Sequence, residues 1–147
     1  MISLQTDELL QTSIKDIIIP AEKVAHVLIG NPLEHALLVL IKTGYSAIPV
    51  LDASNKLHGL ISKTLILDSV LGIERIELEK LEGRKVQEIM DTKIPRLQET
   101  DSFVKALDLM INHPFVCVVD QEGHFIGIMT RRAILKMLSR HIKRLNK

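Results

Sequence analysis

The sequence predicts an α/β fold made of two β-α-β-β-α repeats that pack on each other with pseudo-two-fold symmetry. Three observations lead to this prediction: the chain matches itself, both copies show the same order of helix and strand patterns, and no tether rich in Pro, Gly or Ser separates them. The stretch NPLEHALLVLIKTGYSAIPVLDASNKLHGLISKTLIL (31–67) aligns with DSFVKALDLMINHPFVCVVDQEGHFIGIMTRRAIL (101–135). Repeats therefore account for most of the chain.

The alignment of the two copies changes register once. Asp52 falls on Asp120 at an offset of 68 residues, but the helices that precede these positions match at an offset of 70. The second copy has therefore lost two residues between its helix and the following strand. Upstream, IKDII (14–18) resembles VQEIM (86–90), and each precedes an extended stretch.

The first copy gives its elements in order. Apolar residues recur at helical spacing from Leu33 onward, and Gly44 suits the left-handed cap that ends many helices. AIPVLD and LHGLI predict two short strands joined by the turn residues 52–56. Ser62 is then expected to be the N-cap of a helix that reaches Leu71.

The second copy repeats this order, with a helix over residues 103–112, strands at FVCVVD and FIGIM, and a helix from residue 131 to beyond 141. The charged stretch GIERIELEKLEGRK joins the copies and predicts a short helix. We therefore expect a first motif at 12–72, a charged linker at 73–84, a second motif at 85–141 and a basic C-terminal tail at 142–147.

Composition limits the class of protein. With 46% hydrophobic residues and a formal net charge of +1, the chain is too apolar and too evenly charged to be disordered. The single cysteine, Cys117, excludes an internal disulfide, fits a reducing compartment and is expected to be an inert core residue. The N-terminus lacks a basic and apolar leader, and no apolar run approaches the roughly 20 residues of a membrane helix. We expect a cytoplasmic protein with no membrane partner.

Motifs for catalysis and metal binding are absent from the sequence. It has no nucleophile elbow and no Walker-type phosphate loop. The six histidines show no paired metal-ligand spacing and have no accompanying cysteines. We therefore expect a non-enzymatic protein with no catalytic residues, no metal and no cofactor.

Positive charge is concentrated at the C-terminal end. From Gly123 to Lys147 there are seven Lys or Arg residues and no acid, which leaves 12 basic and 18 acidic side chains in the other 122 residues. Binding of nucleic acid or an anionic membrane surface through this end is one alternative function. We expect no nucleic-acid partner, because none of the four aromatic residues lies in the basic stretch from Arg131 onward and no base-reading motif is present. Packing against the protein or a partner chain is expected instead for Ile134, Leu135, Met137, Leu138 and Ile142.

The repeated order of helix, strand, turn, strand, Gly-apolar-apolar-Ser/Thr and helix resembles a tandem pair of CBS motifs, also called a Bateman module. GYSAIPVLDASNKLHGLIS and FVCVVDQEGHFIGIMT carry this resemblance, which covers residues 12–140. It implies that an adenine nucleotide binds in a cleft between the motifs without chemistry and that the chain forms a homodimer. A stand-alone pair resembles, in particular, a group from Gram-positive bacteria that bind cyclic di-AMP and regulate other proteins.

The resemblance also implies a ligand site. Backbone at the entry to a strand of one motif and the Ser/Thr-containing helix start of the other motif would hold the ligand. Tyr45 would stack on a purine, small residues at Ala25 and Ala47 would let the backbone reach its edge, and cations beside Thr130 would hold phosphate. The predicted ligand-binding residues are Lys23, Val24, Ala25, Tyr45, Ser46, Ala47, Thr130, Arg131 and Arg132.

A related mate site is expected to stay empty. It would use Pro114, Phe115 and Val116 with Ser62, Lys63 and Thr64. It has one cation fewer, and the two-residue deletion shortens its wall. We therefore expect one occupied site per chain.

One departure from the family pattern favours cyclic di-AMP. Members that bind AMP or ATP commonly have Asp three residues after the Ser/Thr, where it binds the free ribose hydroxyls, but this chain has Leu65 and Ala133 there. Cyclic di-AMP offers no cis-diol, and a carboxylate would repel its two phosphates. An uncharged position also fits a degenerate site, so an AMP or ATP sensor remains the first alternative.

These expectations combine into one functional hypothesis. The protein would bind cyclic di-AMP and regulate a target protein. By resemblance, the target would be the enzyme that makes and degrades guanosine polyphosphate alarmones, bound by the ligand-free form.

Overall fold

The structure is a computed structural model that describes residues 10–146. Its strands are β1 (Ile19–Pro20), β2 (Val27–Leu28), β3 (Ala47–Leu51), β4 (Leu57–Ser62), β5 (Arg96–Gln98), β6 (Phe115–Val119) and β7 (Phe125–Thr130). Its α-helices are α1 (Leu33–Thr43), α2 (Lys63–Val70), α3 (Val86–Ile89), α4 (Phe103–Met110) and α5 (Arg131–Leu145). Three 3₁₀ helices lie at Ile14–Asp16, Ala21–Lys23 and Leu78–Leu81.

Two sheets repeat one topology. In the order β2-β3-β4, the first pair is parallel and the second antiparallel, and β5-β6-β7 follows the same rule. Each antiparallel pair has an irregularity at the same place, between Val50 and Leu51 and between Val118 and Val119. The predicted repeat is confirmed down to this detail of register.

The repeat extends to the core. In each helix that precedes the antiparallel pair, the first, fourth and eighth residues are buried, as expected for one apolar stripe of an amphipathic helix. These residues are Leu33, Ala36 and Leu40 in α1, and Phe103, Ala106 and Met110 in α4. Burial of a large apolar side chain contributes about 1.5 to 3 kcal/mol, so each set anchors its helix on its own sheet.

The compact units of the structure are not the two sequence copies. One unit holds Ala25–Ile94, and the other joins the segment that ends at Val24 to the segment that begins at Pro95. The units differ from the copies because β1, which follows the IKDII segment of the first copy, pairs antiparallel with β7 of the second copy. The predicted boundaries at 12–72 and 85–141 therefore follow the repeat, whereas the packing follows a different division.

The leading segment of the second copy makes the matching contact. The amide of Leu60 in β4 donates to the carbonyl of Asp91 at 3.0 Å, and the amide of Asp91 donates back at 2.8 Å. Glycine permits both approaches, because a Cβ at Gly59 would lie 2.3 Å from the Asp91 carbonyl oxygen and one at Gly127 would lie 2.3 Å from that of Ile19.

Several predicted element ends are wrong by a few residues. The helix expected to run to residue 112 ends at Met110, since the shortened connection must reach β6 at Phe115. The helix expected to reach Leu71 ends at Val70. The expected tail at 142–147 is not separate, because α5 continues to Leu145.

The linker is also more ordered than a tether. The short helix expected in it is a 3₁₀ helix, Leu78–Leu81, and Leu81 is buried in the core of its unit with Val70 and Val86. The amide of Glu77 donates to the carbonyl of Val70. These contacts make the linker part of the unit that holds the first copy's sheet.

The apolar face of α5 is narrower than the sequence suggested. Ile134 is buried, and Met137 and Leu138 pack against the same core. Leu135 and Ile142 are 57% and 56% exposed, so within this chain they do not pack on the core, and their packing against a partner chain stays a prediction. They are seven residues apart and form a second stripe beside the one that contacts the core.

The lone cysteine behaves as expected. Cys117 is buried in β6, and burial raises the pKa of its thiol to about 12. The thiol is therefore protonated and unreactive at neutral pH. Elsewhere in residues 10–146, no group of three His, Cys, Asp or Glu side chains is placed to hold a metal ion, and none of the helices there is long and apolar enough to cross a membrane.

Each hairpin turn is organised by one aspartate. Asp52 Oδ1 accepts from the amides of Ser54 and Lys56 at 2.8 and 3.0 Å, and Oδ2 lies 2.8 Å from His58 Nε2. Asp120 repeats the arrangement in the second copy. The hydrogen bond from His58, together with these amides, lowers the pKa of the Asp52 carboxyl below its ordinary value of 3.8.

The lowered pKa gives a pH-dependent prediction. Because the folded state favours the ionised Asp52, its contribution to stability is present above pH 3.8 and is lost as the pH falls through the lower folded value. Asp52→Asn is therefore expected to unfold at a lower temperature than the parent at pH 7, with the difference shrinking below pH 3.8. Thermal unfolding at pH 7 and pH 2.5 measures this, with Asp108→Asn on the exposed face of α4 as the control. A difference that stays constant with pH would contradict the assignment.

Candidate functional site

The two helix starts that follow the antiparallel strands are capped as predicted. Ser62 Oγ accepts from the amide of Leu65, and Thr130 Oγ1 accepts from the amide of Ala133, each at 3.1 Å. The first turn of a helix still leaves amides without intrahelical partners, and these attract anions. In α5 the next residues are Arg131 and Arg132, and the first turn contains no acid.

The structure brings Lys23 and Val24 into the same unit as Thr130. Lys23 ends the 3₁₀ helix that follows β1, and this 3₁₀ helix contacts β7, whose last residue is Thr130. The Val24 amide donates to Ala21 at 3.0 Å, which closes the turn. Five of the nine predicted residues thus belong to one unit: Lys23, Val24, Thr130, Arg131 and Arg132.

Arg131 has structural partners. Its Nε donates to the carbonyl of Met110 at 2.9 Å, and its backbone amide donates to the carbonyl of Pro114 at 2.9 Å. The side chain is therefore tied to the connection between α4 and β6. At least one of its donors is committed without any ligand.

Arg132 differs from its neighbour. Its side chain is exposed, and within residues 10–146 it has neither a hydrogen bond nor a salt bridge. It lines a shallow groove of about 500 Å³ along α5, together with Arg131, Leu135, Lys136 and Ser139. Sequence reasoning missed Lys136, although its spacing of four residues from Arg132 places both cations on one helix face.

The other four predicted residues belong to the unit Ala25–Ile94. Ala25 packs against the core of that unit, and Ala47 begins β3 opposite Ser62. The carbonyl of Ser46 accepts from the amide of Lys63 at 3.1 Å. The Tyr45 side chain is 51% exposed, which leaves its ring accessible to a stacking partner.

In each unit, a strand start that belongs to one of the two predicted sites lies opposite a strand end that belongs to the other. Within the units, Ala47 of the site lies opposite Ser62 of the mate, and Phe115 of the mate lies opposite Thr130 of the site. Phe115 stands where the first copy has Ala47. A large ring thus replaces a small residue at this strand start.

Comparison with known proteins identifies the family. CBS domains match residues 14–72 and 86–140. The chain belongs to the CBS domain family. This confirms the predicted tandem CBS pair, a Bateman module with a mixed α/β fold, and it places the protein in a non-enzymatic regulatory family.

The relatives of this CBS pair match most or all of the chain. Cyclic di-AMP receptor B of Bacillus subtilis (strain 168) is 56% identical over 147 residues, which is all of both chains. A CBS domain-containing protein of Bacillus anthracis has a crystal structure that is 61% identical, with a TM-score of 0.86 over 91% of this chain and 97% of that one. The CbpB protein of Listeria monocytogenes in complex with c-di-AMP is 54% identical, with a TM-score of 0.83 over 88% and 97%.

Proposed function

We propose that this CBS pair is a cyclic di-AMP receptor that binds one ligand per chain. The observation that carries this proposal is Arg132, whose side chain has no partner among residues 10–146, at a helix start whose third residue, Ala133, cannot bind a ribose diol. Two relatives support it, because one is named as a receptor for this nucleotide and the other was solved with it bound.

Each proposed contact has a physical basis. A phosphate would accept from the Arg132 side chain at the start of α5, where the helix dipole also favours an anion. The accessible ring of Tyr45 would stack on an adenine, and Lys23 would add a second cation. The proposed ligand site keeps the nine residues predicted from the sequence, either as ligand contacts or as residues that position them: Lys23, Val24, Ala25, Tyr45, Ser46, Ala47, Thr130, Arg131 and Arg132.

Calorimetry with four nucleotides tests the proposal. Cyclic di-AMP, cyclic di-GMP, AMP and ATP are titrated into the protein at one salt concentration. We expect cyclic di-AMP to bind tightest, with a stoichiometry of one per chain. Tighter binding of AMP or ATP would overturn the proposal in favour of a mononucleotide sensor.

We also propose that the chain acts as a homodimer. Leu38 and Ile41 on α1 and Leu67 on α2 are exposed apolar residues, and they lie on two helices that contact each other. A second copy of the chain would remove these side chains from water. Light scattering is expected to give twice the mass of one chain, and a monomer at micromolar concentration would contradict this.

The regulated partner is proposed to be a cytoplasmic alarmone synthetase/hydrolase. Regulation requires that the ligand and the target favour different states of one module, so that each weakens the binding of the other by the same factor. The ligand-free protein is expected to retain a purified synthetase/hydrolase on a column, and cyclic di-AMP is expected to release it. Retention that is indifferent to cyclic di-AMP would contradict this coupling.

A further inference from the structure

The two repeats end the helix before their antiparallel strands in different ways. In the first repeat, α1 ends at Gly44, which adopts a left-handed conformation with φ 77° and donates its amide to the carbonyl of Leu40 at 3.0 Å. The hydroxyl of Thr43 donates to Val39 at 2.8 Å. Local groups thus satisfy carbonyls that the end of a helix leaves without partners.

The second repeat lacks this cap. It has lost two residues between the helix and the strand, and Ile111 after α4 stays in a right-handed conformation, with φ −60° and ψ −41°. The Met110 carbonyl is instead bound by Arg131 Nε at 2.9 Å. A cation suits this place, because the C-terminus of a helix carries partial negative charge.

Arg131 holds both ends of the shortened connection. Its Nε binds Met110 where α4 ends, and its amide binds Pro114 where β6 is about to begin. In the first repeat, the amide of Lys63 makes the matching bond to the Ser46 carbonyl, but its side chain has no partner among the described residues. The arginine side chain therefore replaces the glycine cap that the deletion removed.

We propose that Arg131 is a positioning residue that fixes the start of α5, and that Arg132 alone of the two arginines supplies the phosphate contact. This inference rests on the proposed function for its ligand, but the cap itself does not depend on any ligand. It explains why two adjacent arginines follow Thr130: one closes the connection, and the other, without a partner in the described part of the chain, is available to bind. Their roles are separable by experiment.

The experiment compares Arg131→Met, Arg131→Lys and Arg132→Met in the full chain. Two quantities are measured for each: the unfolding temperature without ligand, and the dissociation constant for cyclic di-AMP at several salt concentrations. The slope with salt reports how many ligand phosphate contacts involve a cation, because salt screens such contacts. Should Arg131→Met fail to fold, Arg131→Gln, which keeps a donor without the charge, carries the same comparison.

We expect Arg131→Met to unfold at a lower temperature without ligand and to bind about threefold to tenfold more weakly, with the salt slope of the parent. Arg131→Lys is expected to recover the unfolding temperature. Arg132→Met is expected to keep the unfolding temperature of the parent, but its dissociation constant for cyclic di-AMP is expected to change less with salt concentration. The proposal is overturned if Arg131→Met unfolds like the parent and its binding has the shallower slope. If the parent does not bind cyclic di-AMP, the proposed function fails, while ligand-free unfolding still decides whether Arg131 is a cap.

Discussion

Arg132→Met is expected to weaken cyclic di-AMP binding by about tenfold to a hundredfold, which corresponds to losing one charge-assisted hydrogen bond of roughly 1.5 to 3 kcal/mol. The protein should fold as before. The Arg132 side chain is exposed and has no partner within residues 10–146, so its removal breaks no contact of the folded chain. Calorimetry at fixed salt measures the affinity, and thermal unfolding without ligand measures the stability.

The control is Arg140→Met, which removes the same charge from the same helix. Arg140 is exposed on α5 but does not line the groove that contains Arg132. Its loss is expected to change the affinity less than threefold, since a distant exposed charge acts only through a screened field. Equal losses in both variants would show that α5 attracts the nucleotide by its general charge, and an unchanged constant for Arg132→Met would remove the phosphate role.

Local patterns in the sequence predicted the repeats well because they depend on neighbouring residues. Gly44 ends α1 and Ser62 caps α2, as their conformational preferences and hydrogen-bonding groups indicated. The antiparallel strands also lie where alternation and turn residues placed them. Asn55 adopts a left-handed conformation in the first hairpin, and the equivalent Gly123 does so in the second.

Long-range pairing is what the local patterns could not supply. Ile19 pairs with Ile128 in the opposite copy, and nothing in the short IKDII segment specifies that partner. The same holds for Arg131, whose sequence position indicates a helix start but not the Met110 carbonyl that it binds. The exposure of Leu135 within the chain could not be predicted for a different reason. Helical periodicity places this residue on an apolar face, but it does not show which of two adjacent stripes the core covers.

The candidate site was predicted at the level of residue sets, and the structure divides their roles. Arg131 and Arg132 were equivalent in sequence, but within residues 10–146 only Arg131 has a hydrogen bond from its side chain. Lys136 joins the same groove because one helical turn separates it from Arg132. The charge of the two arginines could not separate their roles, because the role of Arg131 depends on where α4 ends.

Gly127→Ala is expected to destabilise the protein by about 1 to 3 kcal/mol, the usual cost of forcing an extra group into a packed site. The new Cβ would lie 2.3 Å from the carbonyl oxygen of Ile19, and a backbone atom cannot rotate away as a long side chain can. Relief requires that β1 move off β7. Chemical denaturation without ligand measures the loss.

Two matched glycines sharpen this prediction. A Cβ at Gly59 meets the carbonyl oxygen of Asp91 at the same 2.3 Å, so Gly59→Ala is expected to lose a similar amount of stability. A Cβ at Gly30 has no heavy atom within 4 Å, so Gly30→Ala is expected to stay within about 0.5 kcal/mol of the parent. Equal stability of all three variants would contradict the close approaches that define both sheet edges.

The same variants connect the fold to ligand binding. β1 runs directly into the 3₁₀ helix that ends at Lys23, so moving β1 displaces Lys23 and Val24 from their place beside β7. The segment at Asp91 carries none of the nine proposed ligand-binding residues. Gly127→Ala is therefore expected to weaken cyclic di-AMP binding more than Gly59→Ala does at equal loss of stability. Equal weakening would mean that Lys23 and Val24 do not contribute to the site, because the exchanged strand that presents them would then make no difference to affinity.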